Sequence, residues 1–181
     1  MLLSPRHGCL LVAAPELLDP AFACSVVVLL AHSAAGSCGL VLNRPAERML
    51  GEVLPETAGE AGDVPLYLGG PVAPETLQYL ARAESADDED QVLDGVIAGG
   101  TLPDLVRCAR QRRSPRGYLG HAGWAAGQLE HELTEGAWIV APANADLVFA
   151  EDSAALWSRV LRGLGGRYAW LSLRPADPAD N

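Results

Sequence analysis

Residues 24–45 read Cys24-Ser25-Val26-Val27-Val28-Leu29-Leu30-Ala31-His32-Ser33-Ala34-Ala35-Gly36-Ser37-Cys38-Gly39-Leu40-Val41-Leu42-Asn43-Arg44-Pro45. Two apolar runs, 26–31 and 38–42, flank a stretch of small turn formers, which is the pattern of a β-hairpin with a short loop. The second strand stops at Asn43-Arg44-Pro45, because proline has no N–H for the ladder and pushes Arg44 toward an extended conformation. Outward from the hairpin, residues 8–14 make a second valine- and leucine-rich run closed by Pro15, read as a buried strand, with Leu18-Asp19-Pro20 as the intervening turn.

Downstream, the patterns alternate. A short helix is expected over 49–54, a loop over 57–63, and strands over 64–68 and 76–81. Residues 84–90 hold five acidic side chains in seven, a solvated loop without the spacing of a calcium loop. Thr101 and Asp104 predict a cap for a helix over 102–112, with Leu102, Leu105, Val106 and Ala109 at helical spacing. A strand over 117–122, a helix over 127–133 and a strand over 137–141 follow. Ser153 is expected to cap a helix whose stripe is Leu156, Trp157, Val160, Leu161 and Leu164, ended by Gly165-Gly166, and 168–173 is read as a last strand. Strands interleaved with helices, without repeat or linker, describe one α+β (mixed α/β) domain over 1–175 and a frayed tail over 176–181.

The chain has 181 residues and 49% hydrophobic content, enough to bury a core without disulfides. Its formal net charge is -10 and all 13 basic residues are arginine, so lysine Schiff-base chemistry and a P-loop are excluded and nonspecific nucleic-acid binding is disfavoured. Five of those arginines, Arg107, Arg110, Arg112, Arg113 and Arg116, form the one basic concentration in the sequence. The longest apolar stretch is too short to span a bilayer and no cleavable leader is visible, so a cytoplasmic chain is expected. Cys9, Cys24, Cys38 and Cys108 fall in no metal-binding spacing and suit reduced thiols. The lysine-free, isoleucine-poor and alanine-rich usage is the coding bias of a GC-rich bacterial genome.

There is no G-x-S-x-G elbow, no G-x-G-x-x-G after a strand, and no H-E-x-x-H. His131 and Glu135 share a helical face, but the second histidine of a zincin is missing, and neither a metal nor a cofactor is expected. Three polar clusters lie at strand or turn ends, where side chains and amides are available to a ligand. The first is His32 with Asn43, Arg44 and Pro45. The second is Gly69, Gly70 and Pro71, whose glycines can aim amides into an anion nest. The third is Trp124, Gln128 and Glu130 around a strand-to-helix turn. Each has a structural alternative: Arg44 pairing with Glu130, Trp124 as core, the glycines as turns.

Asp19-Pro20 with Phe22, His32, Gly36, Gly39-Leu40-Val41-Leu42-Asn43-Arg44-Pro45, Gly69-Gly70-Pro71-Val72, Gly123-Trp124 with Gly127-Gln128-Leu129-Glu130 and Glu132, and Trp138 occur in an order that resembles the YqgE/AlgH family of bacterial proteins over residues 10–149. His121 and Cys38 depart from the family pattern, which favours an aromatic residue before Ala-Gly-Trp and an apolar one in place of the cysteine. The resemblance implies a single domain with a complex mixed sheet, partly closed into a small barrel and surrounded by helices. It implies a role in transcriptional regulation and no particular reaction. The resulting expectation is a non-enzymatic regulatory or binding protein, acting through a small ligand or protein partner, with no direct DNA contact and no membrane. The alternative is a hydrolase or transferase with Glu130 or His32 as base and Arg44 with Asn43 orienting an anionic group. A third reading, redox sensing at Cys38, stands behind a buried or strand-facing thiol.

Overall fold

The computed structural model describes residues 3–85 and 90–173. The hairpin forms as the sequence predicts: β2 (Val26–Ser33) pairs antiparallel with β3 (Gly36–Val41), from Val27 opposite Val41 to Ser33 opposite Gly36, with a bulge between Leu29 and Ala31. β1 (Leu10–Ala13) lies along the other edge of β2. The remaining strands are β4 (Pro45–Met49), β5 (Pro65–Leu68), β6 (Val72–Arg82), β7 (Gln91–Leu93), β8 (Val96–Gly99), β9 (Arg116–Ala125) and β10 (Trp138–Ala141). The helices are α1 (Leu50–Val53), α2 (Leu102–Arg110), α3 (Gln128–Thr134), α4 (Ala145–Val148), α5 (Leu156–Leu164) and α6 (Gly166–Leu171).

The strand path is β10-β1-β2-β3-β9-β6-β8-β7, with β5 parallel to β9 and β4 outside β5. The result is a single mixed α+β domain. Its sheet is not closed into a barrel, in contrast to the partial closure implied by the family resemblance, because β10 and β7 end the path far apart in pairing order. No helix among the described residues is long and apolar enough to cross a membrane. The 176–181 tail and residues 86–89 of the acidic run lie outside the described residues.

β9 organises the sheet. Its C-terminal half pairs with β3, its N-terminal half pairs on the same edge with β5, and its opposite edge pairs with β6. Within Gly69-Gly70-Pro71 the chain therefore passes from one edge of β9 to the other. Backbone meets backbone at this crossing: a Cβ on Gly70 would overlap the His121 carbonyl, and one on Gly120 would overlap the Gly70 oxygen. Gly70 and Gly120 also hold φ of +149° and +69°, a region that side chains disfavour. The glycines are required by close approach, which leaves the anion-nest reading of Gly69 and Gly70 without support.

Alternation across the strands sends Leu10, Val12, Val26, Val28, Leu40 and Leu42 to one face and Leu11, Ala13, Val27, Leu29 and Val41 to the other. The first face is covered by the α5 stripe of Leu156, Trp157, Val160 and Leu161, as its spacing predicts, and Trp157 Nε1 donates to Ala13 O at 2.8 Å. The second is covered by Trp124, Leu129 and Trp138. A third cluster, under α2, holds Leu50, Leu66, Tyr79, Ile97, Leu105 and Cys108. Each fully buried leucine contributes about 2 kcal/mol of transfer free energy.

Several local expectations are corrected. Residues 168–173 are not a strand: Gly166–Leu171 is helical, with Tyr168 and Leu171, one turn apart, half-buried against the α5 side while Trp170 faces solvent. A six-residue apolar run carries no period long enough to separate helix from strand. Ser153 does not cap α5. Asp152 Oδ1 accepts from Ala155 N at 3.0 Å, and Ala155 is the capping position. Thr101 does cap α2, accepting from Asp104 N. β3 ends at Val41, just before Asn43-Arg44-Pro45, and Pro45 then begins β4, a position where its missing N–H does no harm.

The crossing predicts that Gly70→Ala costs about 3 kcal/mol or more, since neither backbone can yield and the φ is unfavourable; urea unfolding at matched conditions measures it. A second prediction concerns alkaline pH. Burial raises the Tyr79 phenol from 10.0 to about 12 and pushes buried Tyr118 up as well. Between pH 10 and 12 the unfolded phenols ionise while the folded ones stay protonated, so stability falls with rising pH in that window. Urea midpoints of wild type against Tyr79→Phe should show the slope reduced in the variant.

Candidate functional site

The sequence-predicted residues divide into three places. Asn43 follows β3 and faces the turn before β2. Its Oδ1 accepts from Val26 N and its Nδ2 donates to Cys24 O, both at 2.9 Å, so both ends of the amide are occupied in pinning a turn where Cys24 has φ of +55°. Asn43 is a strut. Arg44, next in the chain, reaches across the same turn: its Nη2 donates to Ala23 O at 2.7 Å and to Pro20 O at 3.4 Å. The expected pair with Glu130 is absent, because the carbonyls of the 20–23 turn hold the guanidinium on the other side of the hairpin base. Among the described residues no carboxylate lies within 4 Å of it.

Arg44 opens onto a cleft of about 330 Å³ lined by Pro20, Val41, Leu68, Gly70, Pro71 and Leu119, with Ala21 and Pro74 completing it. Leu68 is 51% exposed, a high value for a leucine, and sits opposite the arginine in this apolar wall. The first and second clusters thus meet here through Arg44, Gly70 and Pro71. Gly69 is buried behind them, accepting from Val41 N and donating to Leu119 O. Pro45 is exposed on β4 opposite Tyr67.

The third cluster is a different site. Trp124 on β9 and Trp138 on β10 are both buried, and their indole N–H groups donate to one oxygen of Glu132 at 2.9 and 2.7 Å. Gln128 Nε2 donates to the other oxygen at 2.9 Å while its Oε1 accepts from Ala125 N at 3.0 Å. Phe22 stacks on Trp124 and meets Trp138 edge-on, with centroids 6.2 and 5.5 Å away. Glu132 is the residue that sequence reasoning undervalued. Its signal was its place four residues after Gln128, on one face of α3. Its carboxylate takes three donors, and Trp124 is core as the structural alternative held.

His32 belongs beside α3, away from Arg44. Its Nδ1 lies 2.8 Å from Ser37 Oγ and its Nε2 3.7 Å from Glu130 Oε1. Two of the five arginines around α2 are paired with carboxylates, and two more donate to backbone carbonyls. Arg107 pairs with Asp104 at 2.8 Å, Arg110 with Glu60 at 3.7 Å, Arg113 Nε donates to Arg82 O, and Arg116 donates to Val148 O and Ala150 O beneath the Tyr67 and Phe149 rings. His131 and Glu135 pair at 3.6 Å. Burial raises the Cys38 thiol, as it does those of Cys9, Cys24 and Cys108, which lowers the reactive thiolate fraction and weighs against redox sensing at Cys38.

A mixed, open sheet organised on a glycine-crossed central strand, with an aromatic-carboxylate latch under α3, defines a class of small α+β domain. The AlgH-like family model matches residues 10–169, and this chain belongs to that family. A UPF0301 protein of Chlorobaculum tepidum is 37% identical over 181 residues, covering 97% of this chain and 96% of the relative. One from Thermobifida fusca is 40% identical over 194 residues, covering 96% and 94%. Among solved structures, a crystal structure of a protein from Corynebacterium diphtheriae superposes with a TM-score of 0.81 at 26% identity, covering 96% of this chain and 95% of that one. The solution structure of the AlgH protein from Pseudomonas aeruginosa gives 0.72 at 28%, covering 97% and 98%.

The latch predicts that Glu132→Gln costs about 1.5–3 kcal/mol, because an amide offers one acceptor oxygen where the carboxylate satisfied donors on both sides. Chemical denaturation measures the loss, and the two indole N–H resonances should shift together.

Proposed function

We propose that this chain is a cytoplasmic binding protein whose regulatory effect follows from occupancy of the Arg44 cleft by a small ligand, or by a protein segment offering the same chemistry. The observation that carries the reading is Arg44 itself: a half-buried cation without a carboxylate partner among the described residues, set in a wall of proline, valine and leucine. A half-buried guanidinium favours an anionic group, and the apolar wall favours a compact hydrocarbon body beside it. The preferred ligand is a small apolar monocarboxylate.

None of the lining residues carries a group that takes up a proton near neutral pH, which supports binding over catalysis at this cleft. The alternative enzyme reading needed His32 or Glu130 as base beside Arg44 and Asn43. Asn43 is consumed by the turn, and neither His32 nor Glu130 lines the cleft. An effect on transcription is read as indirect, since the net charge is -10 and the α2 arginines are paired.

Titration of the labelled protein with butyrate, hexanoate and benzoate, against the matching alcohols, tests the reading. Amide shifts should concentrate at Leu68, Gly70 and Leu119, and Arg44→Met should weaken carboxylate binding roughly tenfold or more, about 1.4 kcal/mol. Shifts elsewhere, or equal binding of acids by Arg44→Met, would contradict it. Submicromolar binding of duplex DNA at physiological salt would overturn the indirect role.

A further inference from the structure

We propose that Ser37 is an activated nucleophile, with His32 as its general base and Glu130 as the positioning residue, and that it accepts an acyl group from small activated esters. This site is separate from the Arg44 cleft and would add a chemical step to the protein.

The arrangement follows from the hairpin. His32 and Ser37 are directly paired across β2 and β3, and a bulge between Leu29 and Ala31 sets their register. Ser37 in turn pairs with Trp124 on β9, so the three side chains form a row at the hairpin end of the sheet face that α3 covers. Ser37 Oγ lies 2.8 Å from His32 Nδ1, within the range of a nucleophile and its base. The opposite ring nitrogen, Nε2, faces Glu130 Oε1 at 3.7 Å. A carboxylate on that side favours the tautomer with its proton on Nε2, which leaves the Nδ1 lone pair for the serine hydroxyl.

Burial grades outward along the row. Ser37 is 8% exposed, the His32 side chain 18%, and the Glu130 side chain 50%, so an electrophile approaches from the His32 side. Ala126 and Gly127, just before α3, are exposed, and nothing lies within 4 Å of the Cβ position of Gly127.

The step balances without a cofactor. A lone pair of Ser37 Oγ adds to the acyl carbon while the hydroxyl proton passes to His32 Nδ1. The tetrahedral oxyanion then collapses, the bond to the leaving oxygen breaks, and the leaving group departs with that electron pair. After the imidazolium releases its proton to solvent, neutral His32 takes a proton from an attacking water. The acyl–Ser37 ester then cleaves to a carboxylic acid and regenerates the serine, whose oxygen recovers the proton from His32.

The test uses the full chain with p-nitrophenyl acetate and, separately, a fluorophosphonate probe, followed by peptide mass spectrometry. The proposal expects p-nitrophenolate release with an acetyl adduct on the Ser37 peptide, and probe labelling of the same residue. Ser37→Ala should abolish both adducts, and His32→Gln should slow labelling roughly 100-fold or more. Glu130→Gln, at a half-exposed position, should slow it about tenfold with an unchanged thermal midpoint, whereas Glu130→Asp should restore most of the rate. Cys38→Ser should label as wild type does. Ser37 left unmodified in folded wild type, or adducts unchanged in Ser37→Ala, would overturn the proposal. Equal labelling rates in Glu130→Gln and wild type would remove Glu130 from it.

Discussion

Backbone contact at Gly70 and Gly120 is the constraint on which the rest of the molecule depends. β5 and β6 lie on opposite edges of β9, so the three residues joining them must pass over that strand with no side chain between the two backbones. This crossing lets one strand serve both halves of the sheet: the hairpin and β5 on one edge, the long β6 and the β7–β8 hairpin on the other. It also brings Gly70 and Pro71 over the base of β3, where Arg44 emerges. The cleft is therefore a by-product of how the sheet is threaded.

Polar residues that look alike in the sequence do different physical work. Asn43 and Arg44 are neighbours and both hold the turn before β2, yet both ends of the amide bind the turn while the guanidinium keeps a face toward the cleft. Glu130 and Glu132 are two residues apart on a short helix. Glu132 turns inward to two indoles and an amide, and Glu130 turns outward to a histidine. A half-buried carboxylate with three donors ties core side chains together, whereas one facing a single imidazole can bias its tautomer.

Legibility in the sequence followed the length and period of each pattern. The hairpin at 26–42, the capped helix at Thr101 and the α5 stripe were readable because each spans at least two periods and ends in a residue with a specific backbone role. Residues 168–173 misled because so short an apolar run suits either geometry. β4, β7 and β8 carried too little alternation to announce themselves, and their pairing is imposed by neighbours. Among site residues, Arg44 and the Gly70-Pro71 pair read as separate clusters in the sequence, and the fold brings them to one cleft. Ser37 was hidden because its significance lies in a cross-strand partner.

By itself, the sequence determined the class of the protein: a lysine-free acidic α+β domain, its central hairpin, its main helices, and its family. Those properties are written in local period, turn chemistry and motif order, each of which spans only a few residues. The tertiary structure alone decided which polar groups are spent and which are free. Whether Arg44 meets Glu130 or a turn carbonyl depends on how segments distant in the chain are threaded around β9, and so does the pairing of His32 with Glu130. Hydrogen-bond saturation is a property of three-dimensional neighbours, which residue spacing along the chain does not specify.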